Sequence, residues 1–434
     1  MSIKVQGISQ ETICGQSVKQ LPANQLRENQ LPTNQLSTNK KCSYNLYKKC
    51  LYKKLAQVVS LLTSVSLVAT PAFAQELGFD SELGLSVQQD SNIYRAADEV
   101  DDTIIVLAPQ LVYGSEYGKH AYGLKYSGNY ARFQNNSSLN YFEHDLVASA
   151  QLKHKGKLSS AFSLSYKDGI EQPGINNAQQ LVLEEFNKQN TKNMSATLFY
   201  GTKQSIGQLV GKYTHQQLEF TNNGQEFRDF NRNAFTGTFL YRVAPKTRLL
   251  FEASVAELDS PNTQFVDFSR NQKSYLAGVE WNATAITSSV FKIGYQDVDF
   301  DAENLVDLSG LSYFLDMTWK PNTYTSVKIG ASRAASESAE QSVGGFIRSG
   351  YGVDLVHELT SKTKGSIGYK RTNFDFAGSQ NRKDELKRLV ARLSFESKHW
   401  LQLYTEYENS KRSSAFELLQ FNANIITIGA NAEF

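Results

Sequence analysis

Beyond Leu77 the chain alternates apolar and polar positions with a period of two, the spacing that sends successive side chains to opposite faces of a β-strand. The alternation predicts strands at 77–89, 103–115, 120–132, 141–154, 158–168, 192–204, 208–220, 231–243, 247–258, 271–283, 288–300, 309–320, 323–336, 346–358, 364–376, 384–396 and 400–412. A closing strand follows between Glu417 and Phe434. Short turns such as 155–157 and 244–246 alternate with long polar loops such as 90–102 and 169–191. The count is eighteen, within a range of 16–18. An even number of strands joined this way is the layout of a transmembrane antiparallel up-and-down β-barrel, with long loops outside and short turns in the periplasm.

The closing strand sets the two faces. Phe434, Ala432, Ala430, Ile428 and Ile426 share one side, and Glu433, Asn431, Gly429 and Thr427 share the other. Elsewhere Tyr122, Leu124 and Tyr126 oppose Lys125, Ser127 and Asn129, while Phe235, Phe239 and Tyr241 oppose Thr236, Thr238 and Arg242. One face suits hydrocarbon and the other suits water. Tyr113, Tyr166, Tyr241, Trp281, Trp319 and Tyr407 fall near strand ends, where an aromatic girdle meets lipid headgroups. An edge strand of a soluble β-sandwich would explain a few such repeats, but a run of eighteen favours the barrel. Strands can cross lipid only when closed, since every backbone N–H and C=O must be paired without water.

Three segments are expected along the chain. Residues 1–50 form a polar extension with an imperfect ten-residue repeat, read as disordered or as a start site placed too early. Residues 51–74 read as a signal peptide: lysines, an uncharged run from Leu55 to Thr70, then Ala72, Phe73 and Ala74 as the cleavage motif. Residues 75–434 form the barrel. All three cysteines, Cys14, Cys42 and Cys50, precede the cleavage point, so disulfide and thiol chemistry are not expected in the processed chain. Cleavage removes nine of 45 basic and two of 43 acidic side chains, leaving a net charge near −5. Global charge therefore gives no basis for binding nucleic acid.

The polar face carries the candidate chemistry. Its basic positions are Lys125, Lys153, Lys203, Lys212, Arg242, Lys292, Lys328, Arg348, Lys370, Arg388 and Arg392. Its acidic positions are Asp145, Glu252, Glu280, Asp316, Asp354, Glu396, Glu406 and Glu408. Arg348, Lys370, Arg388 and Arg392 suggest a basic ladder for carboxylate or phosphate groups on a passing solute, faced by an acidic cluster of Glu396, Glu406 and Glu408. The competing reading is that these charges pair across the wall and brace it. Asp90, Asp98, Asp101 and Asp102 could in principle hold calcium, but the loop lacks EF-hand spacing and reads better as a solvated acidic segment. No hydrolase, zincin or phosphate-loop motif is present and the six histidines show no ligand spacing, so neither catalysis nor a metal or other cofactor is expected.

The run Gln89, Asp90, Ser91, Asn92, Ile93, Tyr94 and Arg95, with Leu107 to Leu111 and the Tyr122 to Tyr130 strand, resembles the β-barrel porins encoded in exopolysaccharide and capsule gene clusters of Gram-negative bacteria. The resemblance implies an outer-membrane channel that helps surface polysaccharide leave the cell. It also implies, as partners, outer-membrane lipid, the barrel-assembly machinery reading Phe434, an anionic polysaccharide and periplasmic export components. The alternative is a general or substrate-specific uptake porin for small anionic or sugar solutes. An inward-folded 169–191 loop would favour that alternative. A barrel-borne enzyme is a third class, without a residue constellation to support it.

Overall fold

A computed structural model describes residues 78–174, 184–263, 266–284, 286–338, 343–378 and 382–434. The expectations for residues 1–74 therefore lie outside the described residues. Eighteen antiparallel strands follow one another around a closed sheet. They are β1 (Gly78–Asp90), β2 (Asp102–Tyr117), β3 (His120–Phe133), β4 (Tyr141–Lys153), β5 (Leu158–Ile170), β6 (Lys188–Tyr200), β7 (Gly207–Phe220), β8 (Phe230–Ala244) and β9 (Thr247–Asp259). The second half comprises β10 (Arg270–Thr284), β11 (Thr287–Phe300), β12 (Leu308–Trp319), β13 (Thr325–Glu337), β14 (Gly345–Glu358), β15 (Thr363–Phe376), β16 (Lys383–Lys398), β17 (Leu401–Ser413) and β18 (Phe421–Glu433).

Closure comes from β1 pairing with β18 between Glu82–Glu433 and Asp90–Ile425. The Phe434 N–H adds a last bond to the Ser81 carbonyl at 2.9 Å. The motif that carried the family resemblance locks the other end of this seam. Ser91 N–H donates to the Asn424 carbonyl, and the Asn424 N–H returns a bond to Ser91 Oγ, both at 2.9 Å. Asn92 Nδ2 reaches the carbonyls of Ala96 and Asn422. The Asp90 carboxylate accepts from the Asn92 N–H and from Arg95, each at 2.9 Å. Ile93 and Tyr94 are thereby turned into a buried cluster with Ile104, Phe133, Leu139, Ile170 and Phe186.

The expected faces are present. Leu124, Phe235, Phe239, Phe251, Tyr275, Leu311 and Ile428 are exposed on the outer wall. That surface would strand apolar area in water, whereas in hydrocarbon it is at rest. Tyr113, Tyr241, Trp281 and Trp319 ring the short-turn end, and Tyr166, Tyr275 and Tyr295 stand toward the long-loop end, whereas Tyr369 and Tyr407 lie at mid-strand, so Tyr407 is not part of a girdle.

Curvature is uneven: β11 approaches β13, and β12 approaches β14, within 8 Å. On the approach to this corner Gly278 and Gly294, facing inward on β10 and β11, bring the two backbones close. A Cβ on Gly294 would overlap the Tyr275 carbonyl oxygen, and one on Gly278 would overlap that of Phe291.

Candidate functional site

Inward positions of β14 to β17 place the four basic residues on one wall. Lys370 on β15 sits between Gly352 on β14 and Arg388 on β16 in the cross-strand register. Arg348 lies nearer the long-loop end, opposite Phe374, and Arg392 lies nearer the short-turn end, opposite Ser366 and Glu406. Two of the four are neutralised. Arg388 forms a two-pronged bond with Glu408 at 2.7 and 2.6 Å, and Arg392 reaches Glu406 at 3.5 Å while covering the Tyr404 ring at 3.7 Å. The acidic cluster therefore does not face the ladder as a separate group: Glu406 and Glu408 are interleaved with it. Glu396 pairs in register with Gln402 at the base of the wall and makes no ion pair with the ladder among the described residues.

Arg348 and Lys370 differ from their neighbours. Neither has a hydrogen-bonded or ion-paired partner among the described residues, and Asp354 is the carboxylate within electrostatic reach of Lys370. Gly352, in register with Lys370, carries no side chain beside it. These two cations are open to an anionic solute in the lumen.

The other wall carries buried pairs. Lys292 on β11 reaches Glu252 on β9 at 2.7 Å, both more than nine-tenths buried, and Thr238 Oγ1 donates to the same carboxylate at 3.2 Å. The ion pair spans β10 because Gly278, the residue in register with Lys292, offers no side chain in between. Arg248 joins Glu280 to Gln208, and Val210, Leu240 and Leu250 form a buried apolar cluster. Lys203 does not line the lumen: β6 ends at Tyr200, which leaves Lys203 exposed in the following turn. Lys153 is the exposed last residue of β4.

Loops narrow the long-loop mouth. After β5, Glu171 binds Arg228 of the 221–229 loop at 2.5 and 2.9 Å, with Arg228 over the Phe220 ring. Gly174 then reaches the β1–β18 seam, where an added Cβ would stand 2.9 Å from both Arg95 and Phe421. At the far end of the same loop Phe186 packs on Phe133 and Tyr141. Both described ends of the 171–187 loop thus fold inward. Above the basic wall, Asp384 is clamped by Arg382 and Arg412 at 2.6 Å, next to Phe346, Phe374 and Phe376. These strand-end pairs were not anticipated from sequence. Of these, Asp384 and Arg412 stand second from a strand end, a signal that only the true register exposes, while Glu171, Arg228 and Arg382 lie in loops.

The acidic first loop is a structural fastening. Asp102 accepts backbone N–H groups from Thr103, Gln134, Asn135 and Asn136 at 2.7 to 3.1 Å, and Asp90 is occupied as described above. Among the described residues no group of three potential metal ligands occurs. Phe434 stands 76% exposed on the outward side at the short-turn end.

A family profile described as "Putative beta-barrel porin 2" matches residues 79–434. Comparison with curated protein sequences gives no match. Solved structures similar to this chain include OccK1 (OpdK) of Pseudomonas aeruginosa, at 11% identity over 82% of this chain and 99% of that one, TM-score 0.45. OccK2 (OpdF) of the same organism aligns at 8% identity over 82% and 98%, TM-score 0.48, and OccAB3 of Acinetobacter baumannii at 11% over 82% and 99%, TM-score 0.43. The barrel is a channel fold of the bacterial outer membrane.

Proposed function

The chain belongs to the family described as "Putative beta-barrel porin 2", and on that premise we propose that it is a diffusion channel through which small anionic solutes enter the cell. The observation that carries this reading is the pair Arg348 and Lys370, two lumen cations without partners among the described residues on a wall where Arg388 and Arg392 are paired with Glu408 and Glu406. Solvated cations on a pore wall raise the local concentration of anions and lower that of cations. The inward-folded ends of the 171–187 loop favour small solutes over long chains. Export of surface polysaccharide rests on the resemblance of the first strands, and of those residues Ser91 and Asn92 are engaged in bonds across the barrel seam.

Liposome swelling with the barrel purified from outer membranes tests the proposal. Small sugar acids should enter faster than neutral sugars of the same size, and an acidic polysaccharide should neither enter nor block. Equal rates for acid and neutral sugars would remove the basis for anion preference. Strong block by the polysaccharide would return the argument to export.

A further inference from the structure

The outer face of β15, β16 and β17 carries Arg371, Lys387 and Lys411 in a single cross-strand row: Arg371 pairs with Lys387, and Lys387 with Lys411. With strands ~4.8 Å apart, three cations share ~10 Å of sheet, and like charges directly opposite one another work against pairing. One carboxylate serves the first two, since Glu385 is reached by Arg371 Nε and by Lys387 Nζ at 2.7 Å. Lys411 is exposed and has no ion-pair partner among the described residues. Just above, Lys383 and Arg333 share Asp375 at 3.7 and 3.9 Å. Among the described residues, five cations thus meet two carboxylates. On the outer face of β9 to β11 the balance is reversed, with Glu257, Asp259, Asp297 and Asp299 around Lys273, so the excess is local.

Height decides what the row meets. From Leu401 at the short-turn end of β17, the chain rises ~33 Å along the strand to Lys411, or ~25 Å along the membrane normal at a tilt of ~40°. That is the height of the apolar band of such barrels, so the row sits where outer-leaflet headgroups begin. Below it the same face continues with Tyr369, Leu389 and Tyr407. We propose that Arg371, Lys387 and Lys411 bind the phosphate groups of an outer-leaflet glycolipid whose acyl chains lie against these apolar residues. Guanidinium and ammonium groups bind phosphate through charge-assisted hydrogen bonds, and the anion relieves the repulsion within the row.

The test is native mass spectrometry of the delipidated barrel titrated with diphosphorylated lipid A, its dephosphorylated form, or inorganic phosphate. Retention of the diphosphorylated lipid alone is expected. The triple variant Arg371→Ser, Lys387→Ser, Lys411→Ser should bind it roughly a hundred-fold more weakly, at about five-fold per cation. Lys411→Ser alone, outside the Glu385 pairing, should cost about five-fold and provides the test should the triple variant not fold. Substituting Ser for Glu257 and Asp259 should change nothing. Equal retention by the variants, or of the dephosphorylated lipid, would overturn the proposal. So would a dimer of the native barrel that needs the row but no lipid, because the row would then serve a second copy.

Discussion

Removing two lumen cations that lack a partner among the described residues, with Arg348→Ser and Lys370→Ser, should change ion selectivity by an amount that can be worked out. A unit charge ~7 Å from a permeating ion in water contributes ~0.6 kcal/mol. Screening at ~0.1 M salt, with a Debye length of ~10 Å, halves this to ~0.3 kcal/mol. Two charges give ~0.6 kcal/mol, close to RT, so anions in the constriction fall about three-fold and cations rise about three-fold. The anion-to-cation permeability ratio should drop roughly eight-fold, and less than about two-fold at 1 M salt, where the Debye length is ~3 Å. Reversal potentials in potassium chloride gradients across planar bilayers read this ratio. The control removes a matched pair: Arg388→Ser with Glu408→Ser takes away one charge of each sign and should shift the ratio less than about two-fold. An unchanged ratio at low salt for the first double variant, or equal shifts for both, would refute the reasoning.

Three further outcomes follow from the packing. Glu252→Gln leaves the Lys292 ammonium buried beside a neutral amide and should cost about 3–5 kcal/mol, seen as a lower thermal unfolding temperature, whereas Glu252→Leu combined with Lys292→Met should restore most of it. Gly294→Ala drives a methyl into the Tyr275 carbonyl and should reduce the fraction of chains that become heat-resistant barrels, with Gly211→Ala, which meets open space, as the tolerated comparison. Phe434→Ser should lower the amount of barrel assembled in cells while leaving refolding in detergent nearly unchanged, because the side chain is exposed and the seam is held by backbone bonds that the substitution keeps. Equal losses in both settings would assign Phe434 to stability instead of recognition.

The strands were legible because lipid and water impose a two-residue alternation on nearly every one of them. Turns and loops were legible because only one end of the barrel carries long connections. The largest displacement in position, at β6, comes from a polar run: Lys188 to Asn193 lacks alternation, so the pattern predicts the strand about four residues late and draws Lys203 into the wall. The lumen was harder to read. The pairs Arg388 with Glu408 and Arg392 with Glu406 follow from adjacent strands once the register is fixed, and both ion pairs are formed. Lys292 and Glu252 were both placed inward, but their union skips a strand and depends on Gly278, a contact that alternation cannot reveal. Asp384 and Arg412 meet at strand ends, where pattern is weakest. The seam motif was visible as a resemblance before its job was visible, since Asn92 and Ser91 find their partners more than 300 residues away.

The most direct measurement of the central claim is the reversal potential of the unmodified barrel, recorded as single channels across a ten-fold potassium chloride gradient. An ohmic conductance with a reversal potential of anion-preferring sign is the expected result. A silent barrel, or a channel that prefers cations, would contradict the assignment of Arg348 and Lys370 as the working charges of an open pore.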